Sequence, residues 1–247
     1  MVYLLEDTSK AVRLFDGMQD SLIESCLQKV MGRIWVTDPE EPASAFAFLG
    51  CFGFLAGEPS PELLRSRPEG FAILVPGSDA WARLIEAECP EAKKVTRYAI
   101  RQGARFDRAS LSQNLQLLPK GYELRRIDGA LYDLCLASPG TEDFVGNFDD
   151  REHFLREGRG MVIVRDGEIV SGASSYSRYR EGIEVEVWTA ARERRKHLAL
   201  VCCSALILLC LDDGLYPRWD AANLASVGLA GKLGYEFDHE YPVYEVL

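Results

Sequence analysis

The sequence predicts a mixed α/β (α+β) fold on three observations: an alternating strand at residues 183–189, an apolar helix directly after it, and an Asp-Gly hairpin before it. In I-E-V-E-V-W-T the strict alternation puts Ile183, Val185 and Val187 on one face and Glu184, Glu186 and Trp188 on the other. Residues 197–210 read H-L-A-L-V-C-C-S-A-L-I-L-L-C, about four helical turns and apolar all round, so the helix they form is buried. The hairpin lies in M-V-I-V-R, D-G, E-I-V-S-G-A-S-S-Y, where Asp166 and Gly167 supply the turn between two apolar-rich strands.

Taken from the start of the chain, Thr8 or Ser9 caps a helix running to Met31, with Val12, Phe15, Met18, Leu22, Ile23, Cys26, Leu27 and Val30 as its buried stripe. A strand follows at 34–37. The nearly unbroken apolar run 45–56 is a central strand or hairpin, and its Gly50 and Gly53 mark a bulge or a close backbone approach. Residues 71–75 form a buried strand, Asp79 caps a helix to Cys89, 94–100 is a strand and 110–118 a helix. Pro119 and Gly121 then mark a boundary, giving an N-terminal α/β domain at 1–118 and a second domain at 119–247.

The second domain begins with a strand to Ile127 and helices at 128–137 and 149–157, ahead of the hairpin and the strand 183–189. After the buried helix come Asp212, Asp213 and Gly214, a short strand at 215–220 ending at a helix cap, and a helix at 221–233 closed by Gly234. Asn223, Ser226, Leu229 and Lys232 lie on roughly one stripe of that last helix.

Composition bounds the function. The chain has 247 residues, of which 47% are hydrophobic and 27% charged, as in ordinary globular proteins. Its net charge of -10 argues against a nucleic-acid partner and suits a cationic substrate such as an amine. No signal-peptide pattern opens the sequence and no apolar run reaches membrane-spanning length, so the expectation is a cytoplasmic protein without a membrane partner. Seven scattered cysteines with no C-x-x-C pair, and three histidines, support neither a disulfide framework nor a metal site.

The basic run Arg192, Arg194, Arg195, Lys196 stands between the strand and the buried helix. A helix N-terminus presents unpaired N–H groups and a partial positive charge, and cations beside it make a site for pyrophosphate. The chemistry indicated is binding of a nucleotide-like cofactor.

Strand, R-x-x-H-x-A, buried helix, strand and N-x-x-S-x-x-L-x-x-K-x-G-Y together resemble the GCN5-related N-acetyltransferases (GNAT). The first motif is carried by Arg194, Arg195, Lys196, His197, Leu198 and Ala199, the second by residues 223–235. The segments 42–59, 96–100, 171–179 and 216–223 further resemble the bacterial branch that includes zwittermicin-resistance-type acetyltransferases. The resemblance implies a C-terminal GNAT fold with a mixed, centrally splayed sheet; the order of elements in the N-terminal α/β half loosely echoes it, which allows a degenerate duplicate without requiring one.

It also implies acetyl-CoA as acyl donor, without a metal, and a small-molecule primary amine as acceptor. The amine would attack the thioester directly in a ternary complex. Backbone groups of Val187, Trp188 and Thr189 would hold the pantetheine arm, and the loop of Arg194, Arg195, Lys196, His197, Leu198 and Ala199 the pyrophosphate, with Asn223 ordering the arm or a water. Glu186 and Glu184 are the candidate bases, or alternatively bind the cationic substrate, and Glu186 is preferred as the nearer to the slot. Ser226 is a candidate donor to the leaving thiolate, with Tyr176, Tyr179 and Tyr235 competing.

Two positions depart from the family pattern. His197 replaces a glycine, either with helical dihedrals and an outward ring, the simplest conformation, or with a ring that contacts phosphate or blocks the site. Ala230 stands where many members carry a tyrosine. An alternative reading is therefore a catalytically impaired GNAT-fold module that binds CoA or a partner. The sequence allows a homodimer without specifying one.

Overall fold

The computed structural model describes residues 1–247 and divides into two compact units, Met1–Arg97 with Glu240–Leu247, and Tyr98–His239.

The first unit contains β1 (Tyr3–Leu4), a 3-10 helix (Thr8–Phe15), α1 (Ser21–Leu27), β2 (Arg33–Val36), β3 (Ser44–Leu49), β4 (Phe52–Gly57), α2 (Pro61–Arg65), β5 (Ala72–Pro76) and α3 (Asp79–Glu88), and then β6 (Lys93–Ile100) begins. Strands β1 to β4 are antiparallel to their neighbours, whereas β5 is parallel to β4. Tyr244, Glu245 and Val246 pair antiparallel with Leu74, Ile73 and Ala72. Phe46, Leu55, Leu63, Leu74 and Trp81 are fully buried at the centre of this unit.

The apolar run 45–56 is thus a hairpin. Gly50 turns it with φ 61°, and a Cβ on Gly53 would stand 2.5 Å from the Phe46 ring, the close approach the glycines suggest. The single helix expected from Thr8 to Met31 does not form. Gly17 takes φ 88° and Asp20, in extended conformation, caps α1 by accepting from Leu22 N at 2.8 Å, so the chain breaks between two shorter helices. Likewise the cap of α3 is Ser78, whose hydroxyl accepts from Trp81 N, and Asp79 is the first helical residue.

The second unit contains α4 (Arg108–Asn114), β7 (Glu123–Arg126), α5 (Gly129–Ala137), α6 (Arg151–Glu157), β8 (Gly160–Arg165), β9 (Glu168–Tyr179), β10 (Gly182–Thr189), α7 (Leu198–Asp212), β11 (Tyr216–Arg218), β12 (Asp220–Ala221), α8 (Leu224–Leu233) and the start of β13 (Phe237–Val246). Its five-stranded sheet has the order β11-β10-β9-β8-β7, antiparallel except for the parallel pair of β10 with β11. Asp166 and Gly167, at φ 52° and 82°, make the two-residue turn between β8 and β9. Helix α7 buries Leu198, Leu200, Val201, Leu206 and Ile207 among others, each large aliphatic worth roughly 2 kcal/mol when fully buried.

The division falls at residue 97, earlier than the boundary expected at 118. Leu111 is buried in the core around α7, Leu115 and Leu118 pack on it, and Asn114 Nδ2 donates to Ser204 Oγ at 3.0 Å. Pro119 and Gly121 form only a local turn, Tyr122 N donating to Pro119 O at 3.3 Å. A turn signal in sequence marks a change of direction and carries no information about which core the preceding helix joins.

Candidate functional site

Strand β10 is paired with β9 along its whole length but with β11 only at Gly182, Ile183 and Glu184. Beyond Arg218 the chain leaves β10, and Asp220 and Ala221 pair instead with Ala99 and Tyr98 of β6. Val185 to Thr189 therefore run on without β11 beside them, and a slot opens between the two strands. On the other flank of β10 the pairing slips at one point. Glu184 faces Ser177 and Val185 faces Ser175, leaving Tyr176 as the extra residue of a bulge whose carbonyl accepts from Asn147 Nδ2 at 3.0 Å.

The two candidate carboxylates sit differently at this slot. Glu184 is buried and its Oε1 accepts from the backbone N–H of Asp220 at 2.8 Å, spanning the point where β10 and β11 part. Glu186 lies two residues further along β10, half-buried, opposite Ser174. Ile183 and Val185 join the core on the other face, with Val187 packed against it. Trp188 is half-buried, and its indole lies so close to Gly140 that a Cβ there would stand 2.8 Å from Nε1. Thr189 Oγ1 is 2.7 Å from Ser171 Oγ.

A cavity of about 540 Å³ adjoins the end of β10 and is lined by Thr189, Glu193, Arg194, Arg195, His197, Leu198, Ala199, Leu200, Ala225, Leu229 and Lys232. It is built around the start of α7. His197 is the N-cap residue of that 15-residue helix and supplies no side-chain acceptor, so the first turn, Leu198, Ala199 and Leu200, meets the cavity without a side-chain cap on its N–H groups. Arg194, Arg195 and Lys232 bring three exposed cations to the same cavity. This arrangement suits a phosphate-bearing ligand.

His197 does not take the helical dihedrals expected of it. Its φ is 63° and its ψ 9°, the left-handed conformation for which glycine is the usual residue, and its side chain is exposed. The backbone thus follows the path a glycine would give. Arg195 is also left-handed, at φ 67°.

The cationic run is not uniform in role. Arg192 is ion-paired to Glu168, and the Lys196 ammonium donates to Glu193 Oε2 at 2.7 Å and to Tyr122 Oη at 3.1 Å. Of the basic residues singled out in sequence, only Arg194 and Arg195 line the cavity. The third cation there, Lys232, stands outside that run, on the stripe of the last helix. Ala225, Leu229 and Lys232 recur at positions i, i+4 and i+7 of α8, one helix face; the stripe read from sequence held Leu229 and Lys232 but joined them to Asn223 and Ser226 and passed over Ala225.

Asn223 is exposed and is the N-cap of α8, its Oδ1 accepting from Ser226 N at 3.0 Å; the helix starts at Leu224 rather than 221, and Asp220 belongs to β12. Ser226 Oγ, half-buried, accepts the indole N–H of Trp219 at 3.0 Å. Neither residue lines the cavity. Tyr235 donates to Pro217 O at 2.8 Å and burial pushes its phenol well above the ordinary value; Tyr179 donates to Tyr216 O at 3.3 Å. Ala230 is fully buried in the core. Burial also raises the thiols of Cys202 and Cys210 to about 12, which leaves them unreactive near neutrality. No helix is long and apolar enough to cross a membrane, and no group of three His, Cys, Asp or Glu is placed to hold a metal.

Similarity to known proteins agrees with this geometry. Residues 12–244 match the family model of the GNAT acetyltransferases. A curated relative, the uncharacterized N-acetyltransferase YdfB of Bacillus subtilis, is 27% identical over 175 residues, covering 69% of this chain and 64% of the relative, so the chain spans slightly less than two thirds of that protein. The crystal structure of a GCN5-related N-acetyltransferase-like protein from Streptococcus suis superposes with a TM-score of 0.94 at 43% identity, covering 98% of this chain and 99% of the other. A tandem GNAT protein from the clavulanic acid biosynthesis pathway shares the fold at a TM-score of 0.53 and 11% identity, covering 100% and 98%. Family model, near-complete structural relative and splayed sheet agree: the chain belongs to the GNAT acetyltransferase family.

Proposed function

We propose that this protein transfers an acetyl group from acetyl-CoA to the primary amine of a small molecule, by direct attack within one ternary complex. The observation that carries the reading is the cavity at the uncapped start of α7, where Arg194, Arg195 and Lys232 converge beside a strand with no partner from β11. Its residues fit the donor: cations and first-turn N–H groups for a pyrophosphate, and exposed strand backbone at Val187, Trp188 and Thr189 for a pantetheine arm laid down like an added strand. Lys196 supports the site through its backbone, its ammonium being committed to Glu193 and Tyr122.

The donor supplies an activated thioester; the chain's own residues handle protons and position. An ammonium cannot attack, so a base must take a proton from the amine as the new C–N bond forms and the C–S bond breaks. Glu186 fits that role, being half-buried on β10 past the parting of the strands. Glu184, held to Asp220, braces the slot instead. Ser226 accepts from Trp219 and keeps its own O–H to donate a hydrogen bond to the departing thiolate. The thiolate takes up the proton lost by the amine, or one from water. With reactants held together, proximity accounts for much of the acceleration.

The first unit repeats the order of the second: strand, two helices, three antiparallel strands, helix, parallel strand, helix, strand. We take it as a degenerate copy of the same fold. The loop from β4 to α2 reads G-E-P-S, with no cation, so the donor site belongs to the second copy alone. Placement in the zwittermicin-resistance-type branch, and in the cytoplasm where acetyl-CoA is supplied, goes with this reading.

The test is calorimetric titration with acetyl-CoA, run beside His197→Gly, followed by an amine library with thiol-release detection. Micromolar binding by the natural protein and release with some amines is the expected result. No binding by either protein would overturn the donor assignment.

A further inference from the structure

Beside the cavity lies a closed polar cluster. Tyr122 donates to Glu193 Oε2 at 2.6 Å, Lys196 donates to the same oxygen at 2.7 Å, and Arg165 Nη1 donates to Tyr122 Oη at 2.7 Å while standing 3.5 Å from Glu193 Oε1. Both cations also lie over the Tyr122 ring, Arg165 at 4.9 Å and Lys196 at 5.7 Å from its centroid. Glu193 itself is 6% exposed. The cluster joins the residue before β7, the last residue of β8 and the loop ahead of α7.

Two features of that loop need explanation. First, Arg195 and His197 both hold positive φ without being glycine, conformations that persist only where surrounding structure imposes them. Second, Glu193 is the one acidic residue lining the cavity, where a carboxylate opposes an incoming anion. A charge that works against binding and is nonetheless buried with three partners is explained by what it holds.

We propose that Glu193 is a positioning residue that locks loop 194–197 in its left-handed geometry, with Tyr122 as the link to the sheet, so that the uncapped N–H groups of α7 and the guanidinium groups of Arg194 and Arg195 stay aimed into the cavity. What the loop binds rests on the donor assignment above; the lock itself does not.

The sign of one substitution separates this from plain electrostatics. Glu193→Gln removes a negative charge from the wall, so Coulomb attraction alone makes acetyl-CoA bind more tightly. Loss of the lock makes it bind more weakly, about tenfold in Kd. Tyr122→Phe keeps every charge and gives the same direction.

The experiment is hydrogen exchange on the ligand-free chain, with acetyl-CoA titration as a second arm. Both variants are expected to speed exchange at the amides of 194–199 by about tenfold, with the interior of α7 unchanged. Unchanged exchange at these amides, or tighter binding by Glu193→Gln, overturns the proposal. If the natural chain takes up no acetyl-CoA, the donor assignment falls while the exchange arm still decides the lock. If Glu193→Gln does not fold, Tyr122→Phe decides alone.

Discussion

The Glu184 carboxylate accepts the backbone N–H of Asp220 at 2.8 Å, one side chain bridging the two strands where their ladder ends. Parallel strands that separate leave main-chain groups without partners, and a buried N–H left unsatisfied is costly. Glu184 supplies that acceptor from its side chain at the first position where the β10 backbone no longer pairs with the chain leaving β11.

Replacing Glu184 by alanine should therefore cost about 2 kcal/mol of stability, the worth of a buried hydrogen bond to a charged acceptor. Glutamine keeps an acceptor oxygen and should retain more than half of that. Urea midpoints of the three proteins measure the difference. Equal midpoints for alanine and natural protein would mean that Asp220 N finds another acceptor and the brace is dispensable.

Glu186→Gln should lower kcat by about 10² to 10⁴, the usual range for a lost general base. Acetyl-CoA affinity should stay within about twofold, because the carboxylate lies outside the cavity wall. A proportional rise in acceptor KM with kcat intact would instead make Glu186 a substrate-binding group.

These two residues show how far sequence reached. Alternation placed both glutamates on the polar face of one strand, and the buried helix, the Asp-Gly hairpin and the element order of the second unit followed from period and turn chemistry. What separates brace from base is a contact to Asp220, 36 residues away, which no local pattern encodes. The same limit hid the commitment of Lys196 to Tyr122, 74 residues away, and the packing of α4 on α7 across the expected boundary. His197 failed for a different reason. Helix propensity treats it as an ordinary N-terminal residue, whereas the tertiary lock on its loop decides its φ.

At position 197 the ranking of small residues should follow backbone conformation. His197→Ala keeps a Cβ in the left-handed region and His197→Gly does not, so the glycine protein should be the more stable of the two by about 1 kcal/mol, against the usual order in helices. Thermal unfolding of the pair decides it. An alanine variant at least as stable as the glycine variant would place residue 197 in ordinary helical space.

Lys232→Ala should weaken acetyl-CoA binding by about fivefold, near 1 kcal/mol for an exposed cation facing phosphate, and the effect should shrink as salt rises. Pantetheine, which has no phosphate, should bind both proteins equally. If pantetheine loses as much as acetyl-CoA, Lys232 acts by shaping the cavity and not by charge.

Acid should expose the Glu193 cluster before it touches the core. Hydrogen bonds from Lys196 and then Tyr122, with the nearby Arg165 charge, hold the Glu193 carboxyl below its ordinary value of 4.5. The folded state thus binds that proton less readily than the unfolded chain, and the stabilisation is complete above the unfolded value and lost as pH falls through the lower, folded one. In Glu193→Gln that contribution is absent at every pH. The difference in urea midpoint between natural and variant proteins should then be constant near neutrality and shrink below about pH 4.5 as the natural carboxylate protonates. A difference that persists undiminished at low pH would show that the side chain stabilises by packing rather than by its charge.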